Sequence, residues 1–178
     1  MKINNKETAL LGLLNEKPMH GYEIEQEIRQ RDMRYWTEIS ISSIYKILKK
    51  LEEKEYVKTE VKLTQNNVAQ KISTITAKGK AALKSKVCSL FTEFDHHKWE
   101  LDLAITNLGI LKSGEAEKCI SEYIVKMEEL VNGYGELQKY LESENCPEYR
   151  MALAKRPQYL YKAEIEWAKE YRKLISNK

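Results

Sequence analysis

The sequence predicts a mainly α-helical fold that carries one small β-hairpin. Helical periodicity runs through most of the 178 residues, and only the stretch 57–76 alternates between apolar and polar positions. A cluster of turn-forming residues divides that stretch into two runs. Apolar residues at every third or fourth position are typical of one helical face, whereas alternation is typical of a half-buried strand. The predicted elements are therefore helices around a single two-stranded hairpin.

Three helical segments precede the hairpin. The first covers 8–15 and is rich in leucine, and the second covers 20–31, after a break at Lys17-Pro18. The third runs from about Ile41 towards Tyr56. Proline does not continue a helix, so the break separates the first two segments. Three helices followed by a hairpin form the order of the winged helix-turn-helix domain.

The third segment is amphipathic and carries most of the candidate functional residues. Its apolar positions recur at i, i+4 and i+7 and share one face: Ile44, Leu48 and Leu51. At about 100° per residue, the opposite face carries Ser42, Lys46 and Lys49. Such a helix can pack on a small core and present hydrogen-bond donors to the major groove of DNA. An ordinary solvated lysine face is the alternative interpretation of the same pattern.

The hairpin follows this helix directly. Its first strand carries Val57, Val61 and Leu63 among polar residues, and its second strand alternates over 71–76. Gln65-Asn66-Asn67 forms the turn between the two strands. This turn is the predicted tip of the wing, and Thr76 is the predicted N-cap of the next helix.

Several short motifs, in order and at suitable distances, resemble the PadR-type transcriptional regulators. They are Ala9–Leu14, His20–Ile24, Ser43–Tyr45, Leu48–Glu52 and Ile75–Lys80. The helical second half is similar to the C-terminal domain of the longer PadR-like proteins, with Ala163–Trp167 as a further match. The sequence departs from the family at Ser42, where glycine is common, and on the wing strand, which is less basic and has Ser73 in place of a tyrosine.

The resemblance implies a homodimeric regulator that binds double-stranded DNA through the third helix and the wing. We expect four side chains to face base edges or flanking phosphates: Ser42, Ser43, Lys46 and Lys49. Four others would position the protein on the DNA backbone: Tyr22, Tyr45, Lys50 and Lys71. For Tyr45, packing on the turn between two helices is the alternative role.

The second half predicts a small helical domain. One long helix is expected over 77–108, a second over 115–143, and a third from Pro147 onward. Three helices alone enclose little core, and dimerisation is the usual remedy. We therefore expect 1–86 to be a winged helix-turn-helix DNA-binding domain and 87–178 to be a helical dimerisation and effector domain.

Trp99 is the candidate effector-binding residue. It lies on the predicted long helix, and some PadR-like regulators use an aromatic residue at the dimer interface to stack a planar ligand. The resemblance thus implies a small aromatic or hydrophobic effector that releases the protein from DNA. The alternative is that Trp99 only fills the interface. Trp36 and Trp167 are expected to be core residues.

Charge is distributed unevenly along the chain. Residues 1–86 hold 17 lysines and arginines against 11 aspartates and glutamates, whereas residues 87–178 hold 13 against 16. A basic first half is expected if only that half meets a polyanion. No apolar run approaches the ~18 residues that span a bilayer, and no N-terminal signal is evident. With three widely spaced cysteines, these features predict a cytoplasmic protein without a membrane partner.

The sequence lacks the patterns typical of enzymes and metal sites. Its seven glycines are scattered and form no phosphate-binding loop, and no cysteine pair has the spacing of a zinc site. The adjacent His96 and His97 would project about 100° apart on a helix, which is a poor arrangement for shared ligation. We therefore expect no enzymatic activity, no cofactor and no metal.

The predicted function is that of a transcriptional regulator, most simply a repressor that binds an inverted repeat. One alternative is a MarR-like ligand-responsive regulator, which the His20-Gly21-Tyr22 and Ser43-Ile44-Tyr45 motifs disfavour. The other is a winged-helix module that contacts a protein instead of DNA. Salt-dependent binding to duplex DNA would separate that module from a regulator.

Overall fold

The computed structural model describes residues 3–35, 37, 39–63, 69–93 and 100–176. The chain divides into two compact units, 1–96 and 97–178. The domain boundary expected at 86/87 falls inside a helix of the first unit. The predicted wing tip and the side chains of Trp36, His96, His97 and Trp99 lie outside the described residues.

The first unit contains four α-helices and three strands among its described residues. In chain order they are α1 (Asn5–Glu16), β1 (Met19–His20), α2 (Gly21–Gln30), α3 (Ile41–Glu53), β2 (Val57–Leu63), β3 (Ala69–Ile75) and α4 (Ala77–Thr92). A short 3₁₀ turn, Met33–Tyr35, lies between α2 and α3. This order confirms the winged helix-turn-helix arrangement predicted from the periodicity.

The sheet is antiparallel with the strand order β1-β3-β2. The β2–β3 hairpin has the register Val57 opposite Ile75 and Val61 opposite Lys71. The predicted hairpin is confirmed, but the sheet has one more strand than the sequence indicated. In that third strand, Met19 pairs with Ser73. Two residues are too short to show alternation, which is why the pattern did not reveal β1.

The core of the first unit lies where α1, α2 and α3 pack together with the base of the hairpin. Its fully buried large side chains are Leu10, Leu11, Leu14, Met19, Ile24, Ile28, Ile39, Ile44 and Leu51. Each fully buried leucine or isoleucine contributes roughly 1.5–3 kcal/mol relative to an exposed position. The buried side of α3 consists of Ile44, Ile47, Leu48 and Leu51, so the predicted apolar face is confirmed.

The second unit is built on two long helices. Its elements are α5 (Glu100–Thr106), a 3₁₀ turn (Leu108–Ile110), α6 (Ser113–Ser143) and α7 (Glu148–Ser176). Helices α6 and α7 are antiparallel. Ser121, early in α6, contacts Arg172, late in α7, whereas Gln138, late in α6, contacts Gln158, nearer the start of α7. The buried core between them is small and centres on Ile124, Ile165 and Ala168.

One predicted helix is wrong. A continuous helix over 77–108 was expected, but α4 ends at Thr92 and Glu93 has an extended backbone with ψ 102°. A separate helix, α5, begins at Glu100. Neither proline nor glycine occurs between Lys80 and Leu108, so the sequence offers no local signal for this end.

In the described part of the chain, no helix combines the length and the apolar character needed to cross a membrane.

Candidate nucleic-acid interface

Helix α3 presents an uninterrupted polar face opposite its buried side. Lys46, Lys49 and Lys50 are exposed on it, and Ser42 is exposed at its start. The buried leucines and isoleucines fix the rotation of the helix, so these lysines must point away from the core. Of the predicted recognition residues, Ser42, Lys46 and Lys49 therefore share one solvent-facing surface, whereas Ser43 is half-buried.

The start of α3 is held by serine hydroxyls. Ser40 is the N-cap, but its side chain accepts no capping hydrogen bond from the helix. The Ser43 hydroxyl donates to the Ser40 carbonyl at 2.6 Å, and the hydroxyl oxygens of Ser40 and Ser42 lie 3.2 Å apart. Ser43 is half-buried and its proton is used locally, so its oxygen remains as an acceptor. Ser42 is the more available of the two for a base edge.

Cations of the first unit differ in their partners. Several cations away from the polar face of α3 are paired: Arg31 with Glu16 and Glu27, Arg34 with Glu25, and Lys54 with Glu7. Among the described residues, Lys46, Lys49 and Lys50 take part in none of the ion pairs. Three unneutralised lysines on one face attract a polyanion such as the DNA backbone.

Tyr45 lies against the start of α2. A Cβ at Gly21 would stand 2.5 Å from Tyr45 Cε1, so only glycine lets the ring pack this closely. The same side chain remains 60% exposed. The ring of Tyr45 therefore packs at the junction of α2 and α3 while part of it faces solvent, and its contact with DNA stays a prediction.

A second exposed tyrosine, Tyr22, is the second residue of α2. His20 is the N-cap of this helix. Its Nδ1 accepts a hydrogen bond from the Glu23 amide at 3.2 Å, and the Glu23 carboxylate accepts one from the His20 amide at 2.9 Å. Tyr22 stacks on His20 with ring centroids 6.3 Å apart and is 61% exposed. This capping box fixes the backbone from which Tyr22 projects.

On the wing, Lys71 is exposed on β3 and Val61 is its partner on β2. The neighbouring pair Lys58 and Glu60 is 2.7 Å apart, and that hydrogen bond lowers the pKa of Glu60 and raises the pKa of Lys58. Glu60 thus stays ionised and offsets one cation on β2. Lys71 has no such partner among the described residues, so its charge is not offset on this strand.

Sequence reasoning missed Arg34 and Glu25, which form an ion pair next to the segment that leads into α3. The guanidinium of Arg34 donates to both carboxylate oxygens of the buried Glu25, at 2.8 and 2.7 Å, and to the Ile39 carbonyl at 3.0 Å. Arg34 thereby links α2 to the segment that leads into α3. No periodic signal marks Arg34, because it lies in the irregular stretch between helices.

In the second unit, one aromatic prediction needs correction. Trp167 was expected in the core, but it is 37% exposed and stacks on Tyr171 with ring centroids 5.4 Å apart. It lies about 100° around α7 from Ala168, which is buried in the core between α6 and α7. The pattern alone could not show which apolar side of α7 faces α6.

No group of three or more His, Cys, Asp or Glu side chains suited to a metal occurs among the described residues. The three cysteines are free, and Cys88 and Cys119 are exposed. His96 and His97 lie outside the described residues, so the prediction about them stays a prediction.

The geometry of the first unit agrees with a known family. Residues 10–85 match the model of the transcriptional regulator PadR-like family. The PadR resemblance drawn from the sequence motifs is thus confirmed for this region. The match covers α3 and the hairpin together with most of α1, so this part of the chain is similar to the PadR-like family.

Several solved structures have the same fold over nearly the whole chain. Bacillus subtilis PadR in complex with operator DNA has 21% identity and a TM-score of 0.73, and the match covers 97% of this chain and 99% of that one. The same protein in complex with p-coumaric acid has 19% identity and a TM-score of 0.74, with coverages of 95% and 94%. The Vibrio cholerae virulence activator AphA has 18% identity and a TM-score of 0.61, with coverages of 96% and 95%. No curated protein sequence matches the chain.

Proposed function

We propose that this protein is a transcriptional regulator that binds operator DNA through α3 and the wing. The observation that carries the proposal is the exposed, unpaired lysine face of α3 on a PadR-like winged-helix domain. Bacillus subtilis PadR, which has the same fold, is known in complex with operator DNA. In this role the protein works in the cytoplasm, where the DNA is, and catalyses no reaction.

The side chains divide into two groups by their placement. Ser42, Ser43, Lys46 and Lys49 contact base edges or flanking phosphates in the major groove. Tyr22 and Tyr45 project from the junction of α2 and α3 and reach the DNA backbone, as do Lys50 and Lys71. The first group would set the sequence preference and the second the position on the duplex.

A homodimer is the assembly that the second unit favours. Helix α7 carries a row of partly exposed apolar side chains at intervals of seven residues: Leu153, Leu160, Trp167 and Leu174. A groove of about 510 Å³ borders Leu160 of this row and is also lined by Tyr149, Ala152 and Tyr159. Apolar residues repeated every seven positions form the seam of a coiled coil. A second copy of α7 would cover this row.

Dimerisation explains how one small domain could recognise a specific site. Two recognition helices related by a twofold axis read two half-sites about one DNA turn, ~34 Å, apart. Joining them raises the effective concentration of the second helix once the first has bound. The first unit would therefore serve as the DNA-binding domain and the second as the dimerisation domain.

Repression is the simplest output of such a dimer, because an occupied operator blocks access to the promoter. AphA, which shares the fold, is named an activator, so a reporter assay must decide the sign. Lower reporter expression in the presence of the protein supports repression. Higher expression would assign it as an activator.

A small aromatic effector that binds near Trp99 would release the DNA. Bacillus subtilis PadR in complex with p-coumaric acid is the precedent for a planar ligand on this fold. A ligand shifts the equilibrium only through its different affinity for the DNA-competent and incompetent forms. p-Coumaric acid should therefore quench tryptophan fluorescence and weaken DNA binding together. If Trp99→Phe responds to it as the parent does, Trp99 only fills an interface.

The DNA proposal is tested by selecting duplexes from a random pool and measuring affinity against salt. If each protomer neutralises about 3–5 phosphates, the log–log slope should be about −5 to −9. A variant with alanine at Lys46, Lys49 and Lys50 should lose binding. Alanine at Lys118, Lys126 and Lys162, on helices of the second unit, is the matched control. Equal affinity of the two variants would refute the assignment of α3, and no duplex binding by the parent would favour a protein-binding module.

A further inference from the structure

The end of the recognition helix is joined to the start of α4 by a compact set of contacts. The chain leaves α3 through Lys54, Glu55 and Tyr56 and enters α4 at Thr76. We call the five residues Glu55, Tyr56, Thr76, Lys78 and Gly79 the α3–α4 clasp. All of them belong to the first unit, and α4 is the last described helix of that unit.

Thr76 is the central residue of the clasp. Its amide donates to the Tyr56 carbonyl at 3.0 Å, and its hydroxyl donates to the Glu55 carbonyl at 2.7 Å. The same hydroxyl oxygen accepts from the Gly79 amide at 3.0 Å as the N-cap of α4. One threonine therefore satisfies polar groups at the end of α3 and at the start of α4 together.

Gly79 brings the two elements into direct backbone contact. A Cβ at this position would overlap the Tyr56 carbonyl oxygen and would lie 2.9 Å from Ile75 Cγ1. The backbone oxygen cannot move away as a flexible side chain could, because it already accepts the Thr76 amide. Glycine is thus required for α4 to begin at this distance from the end of α3.

The residue that ends α3 is itself in an unusual conformation. Glu55 has a φ of 61°, in the left-handed region, and the Tyr56 amide donates to the Leu51 carbonyl at 2.8 Å. Such a left-handed residue terminates a helix and is usually glycine or asparagine. In this chain the position is occupied by a glutamate. Its carboxylate pairs with Lys78 at 2.5 Å, and Lys78 Nζ lies 5.7 Å from the centre of the Tyr56 ring.

We propose that the α3–α4 clasp sets the orientation of the recognition helix, with Thr76 and Gly79 as positioning residues for operator recognition. This inference rests on the proposed DNA-binding function. Neither residue needs to touch DNA. The clasp acts on DNA binding only through α3, because it fixes the angle between the C-terminal end of α3 and the start of α4.

A small rotation at the clasp is enough to alter base contacts. Helix α3 has 13 residues and, at 1.5 Å per residue, is about 20 Å long. A tilt of about 5° around its C-terminal end would move Ser42, about 16.5 Å away, by about 1.4 Å. Hydrogen bonds to base edges tolerate only a few tenths of an ångström, whereas phosphate contacts are less exacting. Loosening the clasp should therefore reduce sequence discrimination more than general DNA affinity.

The test compares Gly79→Ala with Gly12→Ala in the full-length chain. Gly12 lies in α1 with open space where a Cβ would stand, so it is a matched control in the same unit. The probes are the duplex that the parent selects from a random pool and a scrambled duplex of equal length. Gly79→Ala should lower the ratio of specific to nonspecific affinity at least tenfold, and Gly12→Ala should leave it within about twofold.

Thr76→Val decides the question if Gly79→Ala does not fold. Valine keeps the branched shape and loses only the hydroxyl, so discrimination should fall, and Thr76→Ser should restore it. Affinities are compared well below the unfolding temperature, where a purely structural role would leave the ratio unchanged. If both Thr76→Val and a folded Gly79→Ala discriminate as the parent does, the clasp is not a positioning device. A parent that selects no duplex would instead refute the proposed function.

Discussion

Lys54, at the end of α3, forms an ion pair with the buried carboxylate of Glu7 near the start of α1, with 2.5 Å between Nζ and Oε1. Glu7 is only 3% exposed, and its other carboxylate oxygen accepts from the Asn4 amide at 3.0 Å. The pair therefore joins the end of α3 to the start of α1 through a carboxylate that water hardly reaches. Removing one partner of a buried pair costs more than the pair itself contributes.

We expect Lys54→Met to lower the free energy of unfolding by about 3 kcal/mol, because the Glu7 carboxylate would stay buried without its cation. Urea denaturation at neutral pH measures this. Lys58→Met is the control, since Lys58 and Glu60 form an exposed pair that should matter little. Adding Glu7→Gln to Lys54→Met should recover part of the loss, and a strictly additive double variant would contradict the coupling.

Two glycines should respond to alanine in opposite directions. Gly12→Ala should raise the free energy of unfolding by about 0.5–1 kcal/mol, because Gly12 lies inside α1 with no neighbouring atom near its Cβ position. Gly79→Ala should lower it by about 1–3 kcal/mol, because the new methyl group meets the Tyr56 carbonyl. Thermal unfolding followed by circular dichroism gives both values. Equal effects of the two substitutions would show that the space around Gly79 can relax.

The periodic parts of the fold were predictable from sequence, and the contacts between distant segments were not. The buried face of α3 followed from the spacing of Ile44, Leu48 and Leu51, because core packing imposes that period. The N-cap role of Thr76 was also predicted and is confirmed by its bond from the Gly79 amide. Its second bond, to the carbonyl of Glu55, joins residues 21 positions apart, and no local rule reveals such a contact.

In the candidate site, too, helical geometry was predictable from the sequence and contacts between distant residues were not. The sequence placed Lys46 and Lys49 on one face, since that requires only helical geometry. It could not show that these lysines lack carboxylate partners among the described residues while Arg31 and Arg34 have them. Nor could it show that Tyr45 packs on Gly21, which depends on how α2 and α3 meet.

Two lysines of α3 should affect DNA binding differently. Lys46→Ala should change the preferred sequence at one position of each half-site and cost about 1–3 kcal/mol on the parent operator, because Lys46 points to base edges in our proposal. Lys50→Ala should weaken specific and scrambled duplexes alike and make the salt slope less steep by about one per protomer. Selection from a random pool and salt titrations measure these effects. Unchanged preference in Lys46→Ala would place that side chain on the backbone instead.

Tyr123 should give the second unit a dependence on alkaline pH. Burial, followed by the nearby Glu164 carboxylate, raises the pKa of Tyr123 to about 12. Its hydroxyl donates to Glu164 at 3.2 Å. The folded protein therefore keeps this proton at pH values where the unfolded chain has lost it. The stabilisation is complete below about pH 10 and disappears as the pH rises towards 12.

Tyr123→Phe should remove this contribution while it keeps the ring. Between pH 9.5 and 11.5 the variant should lose less stability than the parent, measured as the shift in the urea midpoint. Tyr140→Phe is the control, because Tyr140 is exposed on the same helix. Equal pH dependence of the parent and Tyr123→Phe would show that the hydroxyl has no such role.

The last prediction concerns the row of apolar residues on α7. Leu160 lies near the middle of that row, and Leu153 and Trp167 lie seven residues to either side. If a second copy covers the row, Leu160→Glu places a charge in the centre of the seam, where desolvation of a carboxylate is costly. We expect sedimentation at micromolar concentration to report a dimer for the parent and a monomer for Leu160→Glu. Helical content should be retained, because Leu160 is not part of the core between α6 and α7.

Lys162→Ala is the matched control for this variant. It makes the net charge more negative by one, as Leu160→Glu does, but position 162 is about 200° around the helix from Leu160. It should remain dimeric and bind operator as the parent does. The Leu160→Glu monomer should bind a single half-site with the affinity of one recognition helix and lose the gain from two linked half-sites. A dimeric Leu160→Glu protein with parental operator affinity would place the interface on another surface of the second unit.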